Sequence, residues 1–130
     1  MSRKSWTVGM MIPLAAATMV GTAPVASAKA VGVRASGRCT GVTHWTMKAK
    51  PDAGRIELEL EIDSNRNGQA WAVRINDNRV RIFTGSRVTH APSGSFTIRK
   101  LTANRAGVDH FVGVATNPRT HETCIARVNL

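Results

Sequence analysis

Oxygen-bearing side chains recur at every second position in Asp63-Ser64-Asn65-Arg66-Asn67-Gly68, the spacing with which a twelve-residue calcium loop begins. Such a loop closes on a bidentate carboxylate at its twelfth position, which here is Arg74, so a cation stands where the strongest ligand is required. The flanks alternate with period two instead of running as helices, and no metal is expected. The acidic series Glu57, Glu59 and Glu61 raises glycoside hydrolysis, which needs two carboxyl groups about 5 to 10 Å apart across a cleft. At spacing two on a strand they stand in a row on one face, which reads as a solvated charge ladder. His44, His90, His110 and His121 are dispersed, with neither metal-ligand spacing nor a GxSxG elbow nearby. Ser36, Ser86 and the Ser93-Gly94-Ser95 cluster sit in no motif, and no glycine loop cradles a phosphate. Neither an enzyme nor a cofactor is expected.

The elements that must position these residues are strands. In Arg55–Asp63, Ile56, Leu58, Leu60 and Ile62 alternate with acids, the pattern of a half-buried strand. Trp71, Val73 and Ile75, then Val80 and Ile82, then Phe96 and Ile98 repeat it, and HWTMKA, DHFVGVA and TCIARVNL complete seven segments. KPDAG, NRNG, NDN, APSG, ANRAG and NPRTHE separate them with turn chemistry. Asn67-Gly68 suits a type I′ hairpin, whose register pairs Ile62 with Val73, Leu60 with Ile75 and Glu61 with Arg74. Seven short strands predict an antiparallel β-sandwich of immunoglobulin-like or fibronectin-like type, with a small open barrel as the alternative. The immunoglobulin Cys, Trp, Cys signature is not met in its usual form, because Cys39 precedes the first strong strand.

Residues 1–28 read as an export signal: Arg3 and Lys4, an apolar run interrupted by Pro13, Gly21 and Pro24, then Ala26-Ser27-Ala28 before a cleavage point at Lys29. The run barely reaches the roughly 20 residues that span a bilayer, so the mature chain carries no membrane span. Residues 29–37 are expected to be a disordered mature amino terminus and residues 38–130 a single domain. Export places Cys39 and Cys124 in an oxidising compartment, where two cysteines form a disulfide; two sulfurs 85 positions apart without CxxC are a poor metal pair.

With Arg3 and Lys4 removed, sixteen of the 18 basic residues face all eight acids, a net charge of +8. Twelve of the sixteen are arginines, whose planar guanidinium suits phosphate and carboxylate. Arg74, Arg79, Arg81 and Arg99 are the candidate contacts to an anionic envelope polymer, with Arg79 and Arg81 projecting the same way from one strand. If Glu57, Glu59 and Glu61 share their face, the charge cancels. The stacking aromatics of single-strand nucleic-acid platforms are scarce, with no Tyr, so specific nucleic-acid recognition is not expected.

GRIELELEIDSNRNGQAWAVRI, APSGSFTIRKLTANRAGVDH and ATNPRTHETC resemble an uncharacterised family of small secreted actinobacterial proteins, over nearly all of residues 38–130. The resemblance implies a signal peptide, a cysteine near each end and a β fold, and it carries no activity. His121 stands where those relatives have Gly, which implies a different or strained turn.

The sequence therefore predicts a secreted monomer, in the wall or beyond it, that binds an anionic polymer or an acidic protein through its surface. The rival is a small secreted hydrolase or inhibitor with a loop-built site. A pocket holding a His beside a Ser or carboxylate would favour the rival; arginines converging on one open face would favour the binder.

Overall fold

Period-two alternation folds the chain into β1 (Val33–Arg38), β2 (His44–Asp52), β3 (Arg55–Asp63), β4 (Ala70–Asp77), β5 (Val80–Val88), β6 (Ser95–Ala103), β7 (His110–Thr116) and β8 (Thr123–Asn129). This computed structural model describes residues 31–130 together with Gly9, Ile12, Pro13 and residues 15–21. The cleavage point expected between Ala28 and Lys29 lies outside them. Two antiparallel sheets, ordered β1-β2-β3-β6 and β5-β4-β7-β8, form an open β-sandwich. Among the described residues there is no helix long and apolar enough to cross a membrane.

Facing rows of apolar side chains fill the space between the sheets. Ile56, Leu58, Leu60 and Ile62 of β3 and Trp71, Val73 and Ile75 of β4 are buried, joined by Phe96, Ile98, Phe111 and Val128. Full burial of each large aliphatic or aromatic side chain contributes about 1.5 to 3 kcal/mol. Gly113 on β7 leaves room for the opposite sheet: a Cβ there would lie 2.9 Å from Met47 Cε and 3.0 Å from Leu60 Cδ2.

The hairpin expected at Asn67-Gly68 does not form. Ile62 is flanked by Trp45 and Phe96 instead of Val73, and Glu61 by Thr46 and Thr97 instead of Arg74. Ile75 is flanked by Phe83 and Gly113 instead of Leu60. Alternation is satisfied equally by two strands lying side by side and by two strands facing each other across a core, and β3 and β4 do the second. Type I′ geometry needs positive φ at both central residues; Gly68 has it (φ 78) and Asn67 does not. Paired positive φ values occur instead at Ala53-Gly54 (46 and 81) and Asn78-Arg79 (45 and 69), the turns joining β2 to β3 and β4 to β5.

Segment 64–69 is therefore a crossover between sheets, and segment 89–95 holds it. The Gly68 amide donates to the Thr89 carbonyl at 2.7 Å, the Thr89 amide to the Gln69 carbonyl at 2.9 Å and the Ser64 amide to the Gly94 carbonyl at 3.0 Å. The Thr89 hydroxyl donates to the Arg66 carbonyl.

Residues 33–37, expected in a disordered amino terminus, are in β1, which pairs with β2 from Val33↔Ala49 to Arg38↔His44. The alternation is present there, but Val33, Ala35 and Gly37 are small and make a weak pattern. The absent side chain at Gly37 admits the Trp45 ring, whose Cζ2 would lie 2.7 Å from a Cβ.

Cys39, just after β1, is bonded to Cys124 on β8 with a Cα separation of 4.3 Å, so the staple joins the two sheets along one side. Around it, the Thr40 amide donates to the Thr123 carbonyl at 3.0 Å and the Thr43 amide to Glu122 Oε2 at 3.1 Å.

Two stability measurements check this architecture. Gly94 has φ +70, and a Cβ there would fall 2.2 Å from the Arg66 amide nitrogen. Gly94→Ala is expected to lose about 2 to 4 kcal/mol in chemical denaturation, whereas Gly54→Ala, at φ +81 in open space, should lose about 1 kcal/mol from left-handed strain alone; equal losses would remove the close approach. Cys124→Ser should lower stability by about 2 to 5 kcal/mol, and non-reducing peptide mapping of the wild type should find Cys39 and Cys124 in one linked pair.

Candidate functional site

Once its inner rows are buried, each strand's outer row is fixed by parity. On the first sheet the outer row of β3 is Glu57, Glu59, Glu61 and Asp63, opposite Lys50, Lys48, Thr46 and His44 on β2 and Leu101, Arg99, Thr97 and Ser95 on β6. Lys50 Nζ lies 3.5 Å from Glu57 and Arg99 Nε 3.5 Å from Glu59. Arg99 is thus held against an acid, on the sheet opposite the other candidate arginines.

The outer face of the second sheet is different. Its rows read Ser86, Ala72, Thr116 and Thr123; then Thr84, Arg74, Val114 and Ile125; then Arg81, Asn76, Val112 and Arg127. All eight acids lie elsewhere. Asp52 is at the β2–β3 turn, four occupy β3, Glu122 bonds Thr43, and Asp77 and Asp109 are buried. Asp77 points inward and meets Arg105 Nε at 3.4 Å.

Arg81 reaches this face through a β-bulge. Ile75 pairs with Phe83 but Asn76 pairs with Arg81, so Ile82 is the extra residue; Ile82 packs against the core as expected and Phe83 joins it, while Val80, expected inward, is exposed. The bulge brings Arg81 against Asn76: Arg81 Nε donates to Asn76 Oδ1 at 2.6 Å and Nη1 to Thr84 Oγ1 at 3.0 Å. Both partners are neutral, so the guanidinium is fixed in place with its charge uncompensated. Arg74 and Arg81 line one open concavity of about 340 Å³ floored by Ala72. Arg79 is not on the strand as expected but in the Asn78-Arg79 turn, and with His110 and Val112 it lines a neighbouring concavity of about 380 Å³.

Of the four candidate arginines, then, the fold gathers Arg74 and Arg81, sets Arg79 at the margin of their face and removes Arg99. Asn76, Thr84, Ser86 and Arg127 join them. Asn76 was signalled by its period-two spacing from Arg74; the others become neighbours only through cross-strand register.

The other place with chemical potential is a concavity of about 450 Å³ lined by His44, Asp63, Ser64, Asn65 and Arg66. His44, Asp63 and Ser95 are successive partners across β2, β3 and β6. The carboxylate stands between the imidazole and the hydroxyl, whereas a Ser-His-Asp relay puts the imidazole between. Ser95 Oγ is 2.6 Å from Ser93 Oγ, and Asp63 Oδ1 accepts from the Asn65 amide at 2.9 Å, closing a local turn in the segment first read against a calcium loop. Among the described residues no group of three or more His, Cys, Asp or Glu is placed to hold a metal ion.

No family model, curated protein or solved structure matches the chain. The reading of the arginine face rests on its own geometry.

Calcium supplies a direct check on segment 63–74, which brings one carboxylate where a calcium loop brings several. Millimolar calcium is expected to leave the thermal midpoint unchanged, and a clear rise would restore the loop as a site.

Proposed function

We propose that this is an exported, monomeric, non-enzymatic β-sandwich that binds an anionic cell-envelope polymer through the outer face of its second sheet. The observation that carries the proposal is the separation of charge. Every outward acid of the strands is on the first sheet, interleaved with Lys48, Lys50 and Arg99, while Arg74, Arg81 and Arg127 stand on the second without one. Cancellation by Glu57, Glu59 and Glu61, the alternative open from sequence, would need those residues on the same face. A field of one sign over an open surface favours polyanions and steers them, and an acidic protein is the lesser candidate because the face offers few large apolar anchors.

Three further features support the setting. The Cys39–Cys124 bond suits an oxidising compartment. The sequence resembles the small secreted actinobacterial proteins. The interleaving of β3 with β6 and β4 with β7 supports the immunoglobulin-like or fibronectin-like classification. The hydrolase reading has His44 beside Asp63 in its favour and the order of the three groups against it.

The test is retention of the mature chain on an anionic polymer matrix. Wild type should be held at 0.1 M salt and released at 1 M, as the Debye length falls from about 10 Å to about 3 Å. Arg74→Glu with Arg81→Glu should abolish retention. The charge-matched pair Lys48→Glu with Arg99→Glu, on the opposite sheet, should largely keep it. Equal loss from both pairs would leave only bulk charge and sink the assignment to this face.

A further inference from the structure

We infer that Arg81 is the centre of a phosphate subsite and that the polymer it takes is an acyclic phosphodiester chain of polyol repeats. This rests on the polyanion-binding reading and adds the ligand's chemistry to it. A guanidinium has five N–H donors; two of those on Arg81 are engaged by Asn76 and Thr84, and three remain for a ligand. The engaged pair fixes the orientation of the rest, so little side-chain freedom is lost when an anion arrives. Thr84 accepts from Arg81 and so keeps its own O–H to donate. Arg74 is the cross-strand partner of Thr84, and Ser86 lies two residues further along β5, across from Ala72.

The result is an open concavity of about 340 Å³ lined by two guanidinium groups, the hydroxyls of Thr84, Ser86 and Thr116, and no carboxylate. Its donors belong to three strands, β4, β5 and β7, and to groups of different length, so they approach from different directions. A single guanidinium serves carboxylate and phosphate alike; it is the approach of donors from several strands that suits the diverging oxygens of a tetrahedral phosphate better than the coplanar pair of a carboxylate.

What the face lacks narrows the polymer. Trp71, Phe96 and Phe111 are buried, Phe83 faces Ile75 on the inner side, and Trp45 belongs to the first sheet. Among the described residues, bases and sugar rings therefore meet no aromatic surface on this face, although stacking on aromatic side chains is what holds single-stranded nucleic acid on a sheet. Ala72 keeps the floor low, and Thr116 and Ser86 offer hydroxyls to a narrow hydroxylated repeat. Arg127 lies in the same row as Arg81, beyond Asn76 and Val112. Three strand spacings make that about 14 Å, so a flexible chain crossing the strands meets a guanidinium at each end of the row.

The experiment measures binding of the mature chain at 0.1 M salt to synthetic poly(glycerol phosphate), and to polygalacturonate, a single-stranded oligodeoxynucleotide and phosphatidylglycerol vesicles at matched anionic charge. Poly(glycerol phosphate) is expected to bind at least about tenfold tighter than each of the others. Asn76→Ala and Thr84→Val leave net charge unaltered and should each weaken that binding about three- to tenfold, a change of the size expected from one hydrogen bond. Arg81→Lys also keeps the charge but loses the fork, and it should weaken binding at least as much, so the subsite is tested even if one of the other variants folds poorly. Equal affinity for all four ligands, unchanged in these variants, overturns the subsite and leaves the polyanion reading standing. Tightest binding to the oligonucleotide, the carboxylate polymer or the vesicles overturns the acyclic phosphodiester assignment. No binding to any of them overturns both.

Discussion

The crossover at residues 64–69 is the constraint on which the rest of the molecule depends. It sends β3 and β4, whose apolar rows are the strongest in the chain, into different sheets, so that the two rows press on each other instead of lying side by side. Met47 and Leu60 from one sheet reach the bare backbone of Gly113 on the other, with Ile75 Cγ1 at the same point. The crossover is held by backbone groups of Gly68, Gln69, Thr89 and Gly94 and owes little to its charged side chains. Its tightest point, where Gly94 meets the backbone of Asn65 and Arg66, tolerates no side chain.

Burying those rows decides the surface. A strand has two faces, so committing Ile56, Leu58, Leu60 and Ile62 inward places Glu57, Glu59, Glu61 and Asp63 outside the first sheet, and committing Trp71, Val73 and Ile75 inward places Arg74 and Asn76 outside the second. The two exteriors then differ in energetics. On the first, opposite charges alternate across strands and each pair contributes a few tenths of a kcal/mol. On the second, like charges stand without relief, and their mutual repulsion slightly opposes folding. A bound anion would remove that repulsion.

The alternation in Arg55–Asp63 and in the Trp71 segment was sufficient to read sandwich architecture, the acidic ladder and the outward side of Arg74. The presence of two cysteines, taken with the export expected of residues 1–28, was sufficient to read the Cys39–Cys124 bond. Pairing was not legible, because side-chain parity fixes which way a residue points and says nothing about which strand lies beside it. That ambiguity made Asn67-Gly68 read as a hairpin and grouped Arg99 with Arg74. The bulge at Ile82 was hidden for a related reason: a single extra residue reverses the parity of every later residue in its strand, and the adjacent apolar pair Ile82-Phe83 lets the phase change without breaking the apolar row. His121 has φ 62. A left-handed turn is kept there with a side chain in place, which nothing in the local residue pattern announces.

The disulfide has a mechanical meaning apart from its effect on unfolding. Cys39 and Cys124 are 85 positions apart, and the loop they close contains every strand from β2 to β7. Tension applied upstream of Cys39 and downstream of Cys124 is carried through the sulfur bridge, so only β1 and the last residues after Cys124 can be drawn out while the sandwich between them bears no load. Reduction would release the enclosed chain, adding extension on the order of 300 Å at the reach of a fully stretched backbone. If one end of the molecule is held at an envelope polymer, the bridge lets the fold act as a short, inextensible link.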